Sequence, residues 1–347
     1  MYFQKDSLLP ENQEKLLITA APYAPGFVPE DFHDIPRTLK EQVQKAVDCY
    51  NAGAQILHIH VREEDGKPSK RMSRFNEFLA AVRDAVPKMI LQVGGSISFA
   101  PDGDTARWPN LDTRHLLAEL ENVDQVTIAI GTAGMNLLDL ISVEDRAGTS
   151  MGQADSQEIW ENMFVEAGPN FYVEHLKRLR ANNIQPYFML GYIHQLEIVE
   201  SLIREGLYMG PLNLTYVAIG GGAAGRHPSD LMEFVLRTPD GAVLTNESMM
   251  RTIHPTNAIS IALGNHVRVG TEDCFYTPRR EMMTSVQQIE WCANIANELG
   301  RDVATAEEAR AMYRIGTTHD SVEQTLRELG MPPNRQPGQR GFPVRGQ

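Results

Sequence analysis

Short apolar segments rich in β-branched residues alternate with longer amphipathic segments along most of the chain. Eight of the short segments have the length and composition of strands, and apolar residues at helical spacing follow each of them. The predicted strands cover 16–22, 54–61, 89–95, 125–131, 185–191, 212–220, 241–248 and 266–273. The predicted helices cover 37–53, 74–86, 112–120, 170–183, 192–206, 228–237, 254–264 and 284–299. Eight consecutive strand–helix units favour an α/β fold of the (β/α)8 TIM-barrel type over a doubly wound sheet.

Two segments fall outside this repeat. Residues 135–168 are too long for a simple loop after the fourth strand, so we expect an insertion that forms a lid, a rim element or a subunit contact. Residues 315–347 predict a C-terminal extension that ends in a tail rich in proline, glycine and arginine. The expected organisation is therefore one catalytic barrel domain over 1–314, with extra C-terminal helices and a tail.

The composition excludes several classes of protein. Of 347 residues, 42% are hydrophobic and 22% are charged, which is typical of a folded globular chain. The apolar runs are shorter than the roughly 18 residues of a membrane helix, and the first residues are too polar for a signal peptide. The net charge of −13 disfavours binding to nucleic acid or anionic lipid. The three widely spaced cysteines, Cys49, Cys274 and Cys292, indicate a reducing, cytoplasmic location rather than a disulfide scaffold.

The second predicted strand carries the sharpest chemical signal, which is His58-Ile59-His60. Side chains alternate faces along a strand, so both imidazoles point one way while Leu57, Ile59 and Val61 point the other. In a barrel the apolar row faces the outer helices, so the histidines face the axis near the end where barrel enzymes place their active sites. This spacing is typical of two ligands of a divalent metal, although two histidines held only by hydrogen bonds would give the same pattern.

The last predicted strand supplies a third ligand candidate. Its alternation places Arg268 and Glu272 inward, and the second and eighth strands of a closed barrel both neighbour the first. Glu272 can therefore join the two histidines in a metal site with an open position for substrate, or it can form an ion pair with Arg268 that only fills the barrel. Arg268 is a candidate for binding a carboxylate, and Asp273 is a candidate general base that could instead cap a turn.

Weaker signals surround these residues. Thr127, on the inward face of the fourth strand, and Thr132, just after it, could each offer a hydroxyl to substrate. Glycine-rich loops at 94–98 and 220–226 could bring backbone N–H groups close to an anion, but both also fit ordinary tight turns. The basic run 67–74 could hold an anionic cosubstrate at the barrel mouth or could be a solvated surface.

Three segments in this order resemble the β-keto acid cleavage enzymes: GAQILHIHVREEDGKPSKRMSRF, GNHVRVGTEDCFY and ELGRDVATAEEAR. The resemblance runs from about residue 16 to about residue 314. It implies a zinc-dependent (β/α)8 barrel, usually tetrameric, that condenses a β-keto acid with acetyl-CoA to give acetoacetate and a new CoA thioester.

The resemblance also implies one zinc ion per subunit on His58, His60 and Glu272, and it makes Arg268 and Asp273 the dyad that generates the acetyl-CoA carbanion. In the implied reaction the carbanion adds to the keto carbon, CoA transfers within the adduct and a retro-Claisen step releases the products. Thr127 falls where the family has a threonine that contacts substrate.

The chain departs from the family at the expected substrate pocket. A family serine is replaced by Gly94, so that hydroxyl is either missing or supplied by Ser96. Family members that act on an amino-keto acid use acidic residues at two positions, which correspond here to 23–27 and to Met189; neither contains a carboxylate. We therefore expect a neutral or less polar β-keto acid as substrate. A metal-dependent hydrolase of the amidohydrolase type and an inactive metal- or CoA-binding relative are the alternative interpretations.

Overall fold

A closed barrel of eight parallel strands organises the molecule. The computed structural model describes residues 9–95, 114–219, 225, 227–277 and 279–332. The barrel strands are β1 (Ile18–Ala20), β2 (Ile56–Ile59), β3 (Ile90–Val93), β4 (Gln125–Ala129), β7 (Gln185–Leu190), β8 (Asn213–Ala218), β9 (Val243–Ser248) and β10 (His266–Val269). Their order around the barrel is β1-β10-β9-β8-β7-β4-β3-β2. This order confirms the predicted (β/α)8 barrel and places β2 and β10 on either side of β1.

Helices follow the strands and form the outer layer. Within the described residues they are α1 (Leu39–Asn51), α2 (Met72–Ala85), α3 (Val143–Arg146), α4 (Ala154–Glu161), α5 (Pro169–Ala181), α6 (Gln195–Arg204), α7 (Pro228–Arg237), α8 (His254–Ala262), α9 (Ser285–Glu298), α10 (Ala306–Met312) and α11 (Val322–Glu328). Thr38, Thr284 and Thr305 begin α1, α9 and α10 with capping boxes, each closed by a Glu or Gln three residues later. The helix predicted over 112–120 is instead a short 3-10 helix at His115–Glu119 in its described part.

The alternation of side chains along the strands separates an outer core from an inner one. Leu57 and Ile59 of β2 pack with Phe78 and Leu79 of α2 in the outer layer. Ile56 faces the other way and joins Tyr187 and Tyr313 in a cluster that fills the interior. Tyr313 directly follows α10, so this late helix closes the amino-terminal end of the barrel. Active-site side chains are thus confined to the opposite, carboxyl-terminal end.

The segment between β4 and β7 packs along the rim of the barrel. Its strands β5 (Ala133–Met135) and β6 (Met163–Val165) form a separate antiparallel pair, and α3 and α4 lie between them along the chain. Met151, Trp160 and Met163 from this segment pack against Phe27 and Phe32 in the loop after β1. Buried apolar area therefore ties the insertion to the mouth of the barrel. No helix in the described part of the chain is long and apolar enough to span a membrane.

Gly270 ends β10 and redirects the chain. Its φ of +147° favours glycine, and a Cβ added there would overlap the backbone carbonyl of Ala21, the residue that follows β1. We predict that Gly270→Ala lowers the free energy of unfolding by about 2 kcal/mol or more, because strain and backbone overlap add together. Gly168→Ala is the matched control, since Gly168 has a φ of −76° and open space around it. Equal urea-unfolding curves for the two variants would contradict this account.

Candidate active site

A small cavity lies at the carboxyl-terminal end of the barrel. It contains the strongest sequence candidates together with residues that the sequence did not single out. The lining residues are Pro25, Gly26, His58, His60, Gly94, Thr127, Met189, Glu247, Ser248, Met249, Met250, Arg268, Glu272 and Asp273. The cavity therefore combines charged groups at its base with an apolar methionine wall.

His58, His60 and Glu272 form the potential metal site. The Nε2 atoms of His58 and His60 are 3.3 Å apart, and Glu272 Oε1 lies 3.3 Å from the first and 3.4 Å from the second. A tetrahedral zinc site with metal–ligand distances of about 2.0–2.1 Å has ligand–ligand edges of about 3.3 Å. The three atoms therefore have the spacing of one face of such a tetrahedron. Glu272 Oε2 is buried and has no hydrogen-bond partner among the described residues.

Glu272 reaches this position by a turn rather than by strand alternation. The strand predicted to run to residue 273 ends at Val269, and the chain turns at Gly270. The N–H of Glu272 donates to the carbonyl of Ala21 at 3.0 Å, which anchors the turn to the end of β1. Because β1 lies between β10 and β2, this anchor brings the carboxylate to the two imidazoles.

A chain of buried glutamines determines which nitrogen of His58 faces the cavity. The backbone carbonyl of Tyr313 can only accept, so Gln185 must donate its Nε2–H, and its Oε1 accepts from Gln125 Nε2 at 2.7 Å. Gln125 Oε1 accepts from Gln92 Nε2 at 3.0 Å, and Gln92 Oε1 lies 2.9 Å from His58 Nδ1. His58 therefore donates through Nδ1, which leaves a lone pair on Nε2 directed at the metal site.

Arg268 lies beneath the metal site and is surrounded by carboxylates. Its Nε and Nη2 donate to Asp273 at 3.0 and 2.8 Å in a bidentate pair. Nη2 also donates to Glu272 at 2.7 Å, and Nη1 donates to Glu247 at 3.4 Å. One guanidinium thus faces three carboxylates, which leaves two negative charges in excess when all three are ionised.

Burial and neighbouring charges shift the pKa values of these residues in different directions. Burial raises the pKa of Asp273 well above its ordinary value; the attraction of Arg268 opposes this rise, and repulsion from Glu272 and Glu247 adds to it. Burial acts in the same direction on Glu272, but Arg268 and the two imidazoles hold the pKa of Glu272 well below its ordinary value. Burial, followed by the charge of Arg268, lowers the pKa of His58 to about 4. His58 is therefore neutral at physiological pH, as metal ligation requires, and Asp273 is the carboxyl best able to hold a proton.

Gly94 leaves the space in which the two imidazoles meet. A Cβ at this position would overlap the ring of His60 and would lie 2.9 Å from His58 Nε2. The family serine expected here would therefore collide with the rings as they stand. Next to it, the N–H of Gly95 donates to Thr127 Oγ1 at 2.9 Å, which fixes the hydroxyl of Thr127 in the cavity wall.

Of the other predicted substrate contacts, Thr132 lies away from the cavity and Ser96 is not among the described residues. Thr132 is exposed and does not line the cavity; its hydroxyl accepts from the N–H of Ala167 and connects the two ends of the insertion. The chain has left β4 at Ala129, so the strand no longer directs this side chain inward. Ser96 lies outside the described residues, as does most of the loop 220–226.

Glu247 and Gln92 are the site residues that the sequence reasoning missed. Both lie on predicted strands and both side chains are buried. The signal for both is a polar residue at an inward position of a barrel strand, the same signal that identifies the histidines and Thr127. Glu247 lies in the strand GAVLTNES and Gln92 lies in the strand MILQVGG. Their partners, Arg268 and His58, lie on neighbouring strands, so the reason for their polarity becomes visible only in the folded barrel.

Comparisons with known proteins indicate the fold and the family of the chain. A barrel protein whose structure is titled "Apo structure of ObcA" superimposes with a TM-score of 0.58 at 13% identity, covering 82% of this chain and 66% of its own. The 3-keto-5-aminohexanoate cleavage enzyme of Acetoanaerobium sticklandii is 27% identical over 305 residues, which are 87% of this chain and 99% of the relative. The 3-dehydrocarnitine:acetyl-CoA trimethylamine transferase of Rhizobium meliloti is 23% identical over 320 residues, covering 88% and 97%. The sequence profile of the β-keto acid cleavage enzymes matches residues 15–315. The chain therefore belongs to the β-keto acid cleavage enzyme family.

Proposed function

We propose that this chain is a zinc-dependent acyltransferase that acts on a β-keto acid and acetyl-CoA. The acyl group R–CO of R–CO–CH2–COO⁻ passes to the sulfur of CoA, and the acetyl group joins the remaining CH2–COO⁻ fragment as acetoacetate. The observation that carries the proposal is the triangle of His58, His60 and Glu272 ligand atoms directly above the Arg268–Asp273 pair. Family membership and the acetyl-CoA transferases among the relatives support the cosubstrate. A homotetramer, as the family resemblance implies, and a cytoplasmic location, as the three widely spaced cysteines indicate, are part of the proposal.

Three features of the site fit a divalent cation. The negative charge in excess around Arg268 would be balanced by two positive charges, and the unpartnered Glu272 Oε2 would gain an electrostatic partner. Gly94 keeps the space between the imidazoles free of any side chain. When bound, zinc supplies a Lewis acid that polarises the keto oxygen of the substrate.

Asp273 is the proposed base for the CH2 group between the keto and carboxylate carbons of the substrate, rather than for the methyl group of acetyl-CoA. Acetoacetate forms only if this CH2 carbon bonds to the acetyl carbonyl carbon as the C–S bond of acetyl-CoA breaks; the CoA sulfur then takes the R–CO group as the bond between the keto carbon and the CH2 carbon breaks. Its pKa is raised by burial and by the neighbouring carboxylates, so it can take a proton from a weak carbon acid more readily than an exposed aspartate can. Arg268 holds both carboxylate oxygens of Asp273 and keeps the base in one orientation. Thr127 lines the same cavity, and its hydroxyl is the proposed contact for the carboxylate of the β-keto acid.

The wall of the cavity favours a neutral substituent on the substrate. Met189, Met249 and Met250 line it with Pro25 and Gly26. Among the described lining residues, carboxylates occur only in the cluster around Arg268, so a cationic amine on the substrate would have no separate counter-charge. Flexible methionine side chains adapt to apolar groups of different shapes.

A substrate panel tests the proposed reaction. Metal-loaded protein is incubated with neutral, amino-substituted and dicarboxylic β-keto acids, with and without acetyl-CoA, and acetoacetate and thioesters are quantified by mass spectrometry. We expect products only when both metal and acetyl-CoA are present, with neutral acids turned over fastest. Asp273→Asn should lower kcat about 100-fold or more at unchanged metal content, whereas Asp84→Asn, on the exposed face of α2, should not. Release of acid or ammonia without acetyl-CoA would favour the hydrolase alternative.

Metal content tests the ligand set. His60→Ala and Glu272→Gln should each weaken zinc binding by more than the roughly 10- to 100-fold that outer hydrogen-bond partners contribute, because each removes a ligand atom. Gly94→Ala should weaken it as well, by displacing the His60 ring. His194→Ala is the control, since His194 is exposed beyond β7 and does not line the cavity. Full occupancy in His60→Ala or Glu272→Gln, measured by elemental analysis, would count decisively against the site.

The glutamine chain gives an independent spectroscopic prediction. In Gln92→Leu, His58 Nδ1–H loses its acceptor, so the imidazole should populate its other tautomer and zinc affinity should fall about 10- to 100-fold. Imidazole ¹⁵N chemical shifts distinguish the two tautomers in metal-free protein. Gln42→Leu removes another buried glutamine, one whose Oε1 accepts from the N–H of Arg62 and not from His58, and should leave these shifts unchanged. An unaltered His58 spectrum in Gln92→Leu would show that the chain does not set the tautomer.

A further inference from the structure

A larger cavity lies beside the catalytic one. Its volume is about 470 Å3, and it shares Met250 and Glu272 with the catalytic cavity. One wall comes from the insertion around α3, and the other comes from the turn after β10. A ligand whose reactive end lies beside Glu272 can therefore extend into this second cavity.

The second cavity is positively charged although the whole chain carries a net charge of −13. Arg146, Arg251 and Arg280 line it, against the carboxylates of Asp145 and Glu272. Arg280 is paired with Asp145 at 2.6 Å, and Glu272 is engaged by Arg268 in the catalytic cluster. The described lining of this cavity therefore holds three arginines against two carboxylates.

Arg146 is the residue that most directly indicates an anionic ligand. Its Nε and Nη1 atoms are buried and have no hydrogen-bond partner among the described residues. Buried guanidinium N–H groups without acceptors cost free energy, and the planar fork they form matches the oxygens of a phosphate or carboxylate. The protein therefore presents a pair of donors whose acceptor must come from outside the described chain.

The basic run 67–74 is a poorer candidate for the same role. Arg71 pairs with Glu63, and Arg74 pairs with Glu64 at 2.6 Å and with Glu77 at 2.9 Å. These arginines are matched by carboxylates that follow the same strand or lie on the same helix. Because these local ion pairs already neutralise the two arginines, the cavity beside α3 is the better candidate site for an anion.

We infer that this second cavity binds a phosphate group of the CoA cosubstrate, with Arg146 as the principal donor. The inference rests on the proposed function, which supplies a CoA ester as ligand. CoA carries its thioester at one end of a long, largely neutral arm and its phosphates at the other. Phe27, Ile141 and Phe275 offer an apolar wall to the arm, and the arginines offer donors to a phosphate. The thioester would then lie at the shared boundary beside Glu272.

Calorimetric titration with CoA and with pantetheine, which lacks the phosphates, tests the inference without requiring turnover. We expect Arg146→Gln to weaken CoA binding roughly 10- to 100-fold, as the loss of charge-assisted hydrogen bonds implies, and to leave pantetheine binding unchanged. Arg146→Lys should give an intermediate loss, since it keeps the charge without the fork. Arg237→Gln removes an exposed arginine that is paired with Glu197 on α6, and it should match the wild type. Thermal melting confirms that each variant is folded.

The outcomes separate this inference from the proposed function. Equal CoA affinity in wild type and Arg146→Gln, or no CoA binding by the wild type, overturns the phosphate site. A raised KM for the β-keto acid in Arg146→Gln with unchanged CoA affinity would also overturn it, because the cavity would then hold a distal acid group of the substrate. Arg146-dependent CoA binding without thioester formation on any β-keto acid would leave the phosphate site standing and remove the proposed reaction.

Discussion

The guanidinium of Arg268 is the interaction on which the candidate active site depends. It is buried and contacts Glu247 on β9 as well as Glu272 and Asp273 in the turn after β10. Without this cation three carboxylates would lie together in a region of low dielectric, and breaking such a buried pair costs about 3–5 kcal/mol. The same contacts assign different chemistry to adjacent residues. Glu272 is held ionised beside the imidazoles, while Asp273 is held by both oxygens at a raised pKa. One cation therefore positions both the potential metal ligand and the potential base.

A second constraint runs through the barrel interior from the opposite end. The carbonyl of Tyr313, beyond α10, fixes the direction of the hydrogen bonds through Gln185, Gln125 and Gln92, and these end at His58. Each glutamine amide can form hydrogen bonds with both of its neighbours in only one orientation. The orientation of Gln185 at the closed end of the barrel therefore determines the orientation of the amides up to His58 at the open end. This explains why a barrel interior that could have been filled by apolar side chains contains a row of buried glutamines. The helix that closes the barrel and the histidine that faces the cavity belong to one hydrogen-bonded unit.

Local patterns were sufficient to predict the eight strands and the direction in which their side chains point. Inward polar residues on the second and eighth predicted strands identified His58, His60 and Arg268, because strand alternation depends only on neighbours in sequence. The same alternation also identified Glu272, although the strand does not extend that far. β10 ends at Val269, and the turn at Gly270 together with the hydrogen bond from the Glu272 N–H to Ala21 brings the carboxylate inward. Glu247, Gln92 and Arg146 could not be assigned from the sequence because their significance lies in partners, or the lack of partners, on distant segments. The position of the insertion likewise depends on its apolar contacts with the loop after β1.

Met250 shows how the two cavities depend on each other. It lines both, and its φ of +58° lies in the left-handed region, which costs a non-glycine residue about 1–2 kcal/mol. A Cβ on Gly26 would overlap the Met250 side chain, so the loop after β1 leaves room for this conformation. The next residue, Arg251, donates its N–H to the carbonyl of Asp273 at 2.9 Å, which ties the strained turn to the proposed base. The same turn thus gives the catalytic cavity its apolar wall and the second cavity one of its arginines. In the proposed enzyme, a substrate substituent that displaced Met250 would also move the boundary between the cavities, so substrate preference and cosubstrate binding would depend on each other.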